Sequence, residues 1–199
     1  MSYNGLVKGN LESIMKRNAA LNLSVSAMLL AIGYVLPFFT GQIQQIGNML
    51  LPMHIPVMLC GLICGWKYGL IIGLVMHVTR SFMFGIPIFY QSAVSMAFEL
   101  ATYGFVIGVV FSRLNKKGLL SLYLSLISSM VIGRIIWGIS MAVLLGIKGK
   151  AFTLGAFVSG ALLNAIPGIV IQLIVIPSVI LVLDRVHLVK LMKKLDAIN

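Results

Sequence analysis

Three charged side chains stand where a charge is hard to explain. Arg80, Glu99 and Arg134 each fall inside a long apolar stretch of a 199-residue chain. A charge at the centre of a bilayer costs about 2.5–3.5 kcal/mol even on insertion scales, so such residues face a protein interior and mark function. His77 precedes Arg80 by three residues and Phe84 follows it by four, so a helix puts all three on one face. Gln91 and Ser95 precede Glu99 at successive steps of four, which makes a polar stripe on one helix face. Trp137 and Gly138 share a face with Arg134, and Asn164, Gly168 and Gln172 repeat the four-residue step further on.

Two arginines and one carboxylate do not balance. Glu99 can neutralise one guanidinium and lock two helices together, which is a structural role. The second arginine is then left over, and an uncompensated buried guanidinium is costly. An anionic ligand answers that need, because the planar fork of arginine fits carboxylate or phosphate. His54 is a further candidate, with a helix-start or packing role as the alternative, and His187 reads as a surface residue. The expected binding set is Arg80, Gln91, Ser95, Glu99, Arg134 and Asn164, joined by His54 and His77.

Catalytic signatures are missing from the sequence. It has no His-Glu-x-x-His for zinc, no Gly-x-Ser-x-Gly elbow and no Gly-x-x-x-x-Gly-Lys-Ser/Thr phosphate loop. Cys60 and Cys64 are four apart, which is neither a zinc ligand set nor a dithiol redox motif, and they read as small buried hydrophobes. No catalytic residue, metal or cofactor is expected, and any ATP hydrolysis would belong to other subunits.

The elements that carry these residues follow from composition. The chain is 60% hydrophobic and only 10% charged, with mean hydropathy +1.07. A soluble domain has about a quarter charged residues, so this chain reads as an integral membrane protein. Its apolar runs are continuous rather than alternating, which favours helices over a barrel. At roughly 20 residues per crossing, the length allows one all-α transmembrane domain of six spans.

Those spans are placed at about 19–39, 53–65, 68–84, 88–111, 119–145 and 155–183, with Pro167 and Pro177 inside the last. Residues 1–18 form a cytoplasmic segment, and residues 184–199 an amphipathic tail suited to a membrane surface. The first span is too long for a signal peptide and no small-residue cleavage site follows it, so it reads as a retained helix.

Glycine marks one region above the others. Gly61, Gly65, Gly69 and Gly73 fall at a strict spacing of four between Pro52 and Gly73, around Trp66-Lys67-Tyr68. The spacing predicts two helices joined by a tight turn at Trp66-Lys67, with bare backbone along one face for close approach of another helix. The general frequency of glycine in membrane helices is the alternative explanation. Ala27 and Ala31 in the first span form a second small-residue pair, able to seat a partner helix.

The net charge of +11 belongs to the membrane rather than to nucleic acid. With both termini cytoplasmic, Lys8, Lys16, Arg17, Lys67, Arg113, Lys116, Lys117, Arg185, Lys190, Lys193 and Lys194 lie inside, and only Lys148 and Lys150 outside. That bias sets the orientation and turns the uncharged loops 41–52 and 85–88 outward.

The glycine-stepped segment, Ile55-Pro56-Val57…Gly61…Gly65-Trp66-Lys67-Tyr68-Gly69…Gly73, together with six spans in about 200 residues, resembles the substrate-binding S components of energy-coupling factor (ECF) transporters. The resemblance covers most of the chain and is strongest from Met53 to Gly104. It implies a bacterial plasma-membrane subunit that captures a vitamin-like small molecule in an outward-facing pocket. It implies docking on a transmembrane T component and two cytoplasmic ATPase subunits, with Ala27 and Ala31 matching the family's Ala-x-x-x-Ala docking pattern. The family's pocket region corresponds here to Gln91, Ser95, Glu99, Arg134 and Asn164, with Arg80 close by. Two arginines against one glutamate favour an acidic molecule, pantothenate- or folate-like.

Two other readings are open from sequence. An intramembrane enzyme acting on lipid or peptide would need Glu99 and His77 within hydrogen-bond reach as an acid/base pair. A stand-alone secondary carrier would be expected to show internal repeats, and the two halves of this chain do not match convincingly.

Overall fold

The computed structural model describes residues 3–40, 49–84, 93–114, 118–161 and 163–185. Expectations for the loop at 41–48, for Gln91 and for the tail beyond Arg185 fall outside the described residues. Among the described residues seven α-helices follow in order: α1 Tyr3–Val35, α2 His54–Ile63, α3 Trp66–Phe84, α4 Val94–Arg113, α5 Leu119–Ile147, α6 Leu154–Ala161 and α7 Ile166–Arg185. Short 3-10 turns cover Leu36–Thr40 and Leu163–Ala165, and no strand occurs among the described residues.

Among the described residues, four segments are long and apolar enough to cross a membrane: Ala19–Phe39, Val94–Arg113, Leu119–Ile147 and Ile166–Leu183. The protein is therefore a multi-pass, all-helical membrane protein. The other two expected spans differ for physical reasons. His77, Thr79, Arg80 and Ser81 make α3 more polar than the four spans, although it has 19 residues. The ten residues of α2 extend about 15 Å at 1.5 Å per residue, against about 30 Å of hydrocarbon.

Two boundaries are corrected. The expected sixth span is not one helix, because α6 ends at Ala161, a 3-10 turn intervenes and α7 begins at Ile166. Pro167 explains the break: its ring excludes a helical partner four residues back, yet its missing N–H costs nothing in a first turn. The α2–α3 turn is at Cys64-Gly65, and Trp66 and Lys67 already belong to α3. Gly65 adopts φ +93°, the left-handed conformation in which glycine ends a helix without steric penalty.

The core lies where α2, α3 and α4 meet. Most of α4 is buried, whereas α1, α5 and α7 keep most of their surface exposed, as helices facing lipid would. Its enclosure follows from glycine. A Cβ on Gly61 would stand 2.5 Å from the Gly104 carbonyl oxygen, and one on Gly69 would stand 2.6 Å from that oxygen and 2.8 Å from Gly61 Cα. Gly73 abuts the backbone of Leu100 and Ala101, and Gly108 abuts Trp66 at 2.7 Å. Three helix backbones thus touch directly, as the glycine spacing predicts, and α4 contributes its own Gly104 and Gly108. Val57, Met58, Leu100, Ile107 and Leu126 close the apolar core around them.

Polar side chains tie the outer helices to this core. Tyr34 on α1 hydrogen-bonds Thr79 on α3, and Ser26 on α1 bonds Cys60 on α2 at 3.3 Å. Ser95 Oγ on α4 lies 3.2 Å from Met141 Sδ on α5.

Candidate functional site

At the opposite end of α2, α3 and α4 from the Cys64-Gly65 turn, apolar packing gives way to buried polar groups. His54 opens α2, where its backbone N–H donates to the Leu51 carbonyl at 3.1 Å. Glu99 lies in the second turn of α4, Arg134 midway along α5, and His77 and Arg80 in the later part of α3. All five are enclosed, from 1% exposure for Glu99 to 7% for Arg134.

Glu99 is the hub. Arg134 Nη1 lies 2.9 Å from Glu99 Oε1, a close ion pair not aligned as a hydrogen bond. His54 Nε2 approaches the same oxygen at 3.6 Å. Tyr103, one turn beyond Glu99, is 1% exposed and sets its ring edge-to-face on His54, with centroids 5.0 Å apart. That contact fixes the imidazole from behind. His77 lies within electrostatic reach of both His54 and Arg80, and the Arg80 guanidinium sits 5.9 Å from the centre of the Phe84 ring. His77, Arg80 and Phe84 therefore share a face, as their spacing predicts.

This cluster is under-bonded. Both ring nitrogens of His77 and of His54, and Nε and Nη2 of Arg134, are buried with no hydrogen-bond partner among the described residues; on α7, Nε2 of Gln172 is likewise buried and unbonded. Leaving a buried polar group unbonded costs about 1–3 kcal/mol, and natural structures rarely tolerate several together. Groups of this kind are open to a ligand.

The expected residues divide accordingly. His54, Glu99 and Arg134 are brought into contact, with His77 and Arg80 beside them. Ser95 is fully buried but bonds Met141. Asn164 is exposed in the 3-10 turn, unlike the enclosed members. The His77–Glu99 pair required by an enzyme is not formed, since neither His77 nitrogen has a hydrogen-bond partner. Of the two arginines, Arg134 is the one that Glu99 neutralises.

Two residues fall outside the expected set. Gln172, 1% exposed on α7, belongs to the four-residue polar repeat that runs through Asn164 and Gly168. Gly168 lets α7 approach closely, since a Cβ there would stand 2.7 Å from the Met49 carbonyl oxygen. Tyr103 is four residues after Glu99, a helical spacing that points to it.

Comparison with known families places the chain. Residues 21–180 match the family described as "ECF transporter, substrate-specific component". The protein belongs to that family of ECF transporter S components, and is thus a transporter component rather than a member of an enzyme family. Membership brings a small-molecule substrate and, in general, T-component and ATPase partners. No curated protein and no solved structure matched the chain.

Proposed function

We propose that this chain captures an acidic, vitamin-like micronutrient, pantothenate- or folate-like, at the outer side of a bacterial plasma membrane. It then delivers the solute through a transmembrane T component driven by two cytoplasmic ATPase subunits. The single observation that carries this reading is the buried, under-bonded cluster around Arg134 in a chain of this family. In this arrangement six segments enter the membrane, α1, α3, α4, α5 and the α6–α7 pair crossing it and α2 reaching only partway, with both termini inside. Eleven basic residues against two support that orientation.

His54, His77, Arg80, Glu99 and Arg134 form the binding site, with Ser95 supporting it through Met141. Asn164, exposed in its 3-10 turn, and Gln91, outside the described residues, are further candidate ligand contacts. Ala27 and Ala31 are both exposed on α1, where small side chains allow a helix of the T component to lie close. The chain carries no phosphate-loop motif, so the energy for import comes from the ATPase partners.

The test is the small molecule that co-purifies with the protein, identified by mass spectrometry and titrated back. Glu99→Gln and the Glu99→Gln/Arg134→Ala double variant are then compared, so that no carboxylate is left buried alone. Adding Arg134→Ala is expected to weaken binding about 100-fold, the loss of two charge-assisted hydrogen bonds, while membrane insertion persists. Unchanged affinity removes Arg134 from the site.

A further inference from the structure

The guanidinium of Arg134 is used on one side only. Its Nη1 faces Glu99 Oε1 at 2.9 Å, whereas Nε and Nη2 are buried with no hydrogen-bond partner among the described residues. Those two atoms are not an arbitrary pair. In arginine the Nε–H and one Nη2–H point the same way and form a single edge, with two parallel donors spaced for the two oxygens of one acid group. Glu99 therefore occupies one flank and leaves the two-donor edge whole.

Charge selects among the acids that could dock there. Arg134 and Glu99 together are neutral, and the Glu99 carboxylate stays beside whatever the free edge holds. Repulsion from it grows with the charge of the incoming group, and it is strongest where water is excluded. A carboxylate brings one negative charge, whereas a phosphate monoester brings about −1.5 to −2 at neutral pH.

We propose that the Nε–Nη2 edge of Arg134 is the specificity subsite for a carboxylate of the transported molecule, and that Glu99 orients this edge and rejects phosphorylated forms. The proposal rests on the reading of the chain as a substrate-binding subunit. Glu99 acts here as a positioning residue through Arg134, and the ligand's acid group is the atom set that Arg134 touches. His54, backed by Tyr103, lies 3.6 Å from the same Glu99 oxygen that faces Arg134.

The experiment uses the full chain in lipid nanodiscs. It is exposed to a mixture of water-soluble vitamins in acid, neutral and phosphorylated forms, such as pantothenate with pantothenol and pyridoxate with pyridoxal phosphate. After washing, retained compounds are identified by mass spectrometry. The expected result is retention of a carboxylate whose neutral counterpart binds about 100-fold more weakly. Arg134→Lys keeps the charge but loses the planar edge, and should reduce that retention about 10- to 100-fold.

Glu99→Gln keeps an oxygen for Nη1 and removes the adjacent negative charge. Whatever its effect on carboxylate affinity, it should narrow discrimination against the phosphorylated form about tenfold. A Glu99 with only a structural role would instead weaken all forms together at an unchanged ratio, which overturns its assignment. Retention of a neutral or phosphorylated member in preference to the acid overturns the carboxylate subsite and leaves the transport reading standing. Retention of nothing overturns both.

Discussion

The two ends of α2, α3 and α4 are built on opposite principles. Toward the Cys64-Gly65 turn, Gly61, Gly69, Gly104 and Gly108 bring backbones into contact so tightly that a single methyl group has no room. Toward the other end, the same helices diverge in chemistry and carry His54, His77, Arg80 and Glu99; among the described residues the ring nitrogens of His54 and His77 lack hydrogen-bond partners. One end gains stability from complete packing. The other forgoes it, and that difference separates scaffold from site more sharply than position along the chain.

Substitutions at the two ends should therefore fail in different ways. Gly69→Val is the most damaging change expected, because its branched side chain would drive into the Gly104 carbonyl and the Gly61 backbone. Overpacking of this kind costs about 1–3 kcal/mol or more, read as a large fall in the thermal midpoint of the purified protein. Normal stability in that variant would break the contrast, since the glycine junction would then be slack.

Gly65→Ala should do less. Nothing lies within 4 Å of a Cβ at Gly65, so the penalty is the left-handed backbone alone, about 1–2 kcal/mol. A loss as great as that of Gly69→Val would mean that the turn, not the junction, holds the scaffold together.

At the polar end the sign should reverse. Gln172→Leu removes a buried amide whose nitrogen has no partner, so stability should hold or rise. Ligand affinity should fall about tenfold for one lost hydrogen bond. A destabilised Gln172→Leu protein would show that Gln172 belongs to the scaffold.

Much of this division is legible in the amino-acid sequence. The spacing of Gly61, Gly69 and Gly73 announced a close helix contact, because glycine at helical intervals has few other uses in an apolar segment. Gly65 was misread, since its four-residue step is counted across a turn rather than along a helix. The sixth span looked continuous because hydropathy does not register the break that Pro167 forces. Glu99 was visibly the only carboxylate available to Arg80 and Arg134 inside the spans. Which arginine it serves depends on how α3 and α5 are rotated about α4, and spacing within one helix cannot report that. The same limit explains Asn164 and Gln172: both sit on one repeat, but only the second is enclosed.

The brevity of α2 has its own result. Trp66 and Lys67, exposed beside the turn, suit the membrane–water boundary. In the proposed arrangement the ten residues of α2 would reach only partway through the oil, which would put His54 and its neighbours below the far headgroups. A solute accepted at that depth would shed its hydration on arrival, so that a few contacts would hold it firmly. Letting it go again would mean rewetting both partners, work that capture alone would not supply.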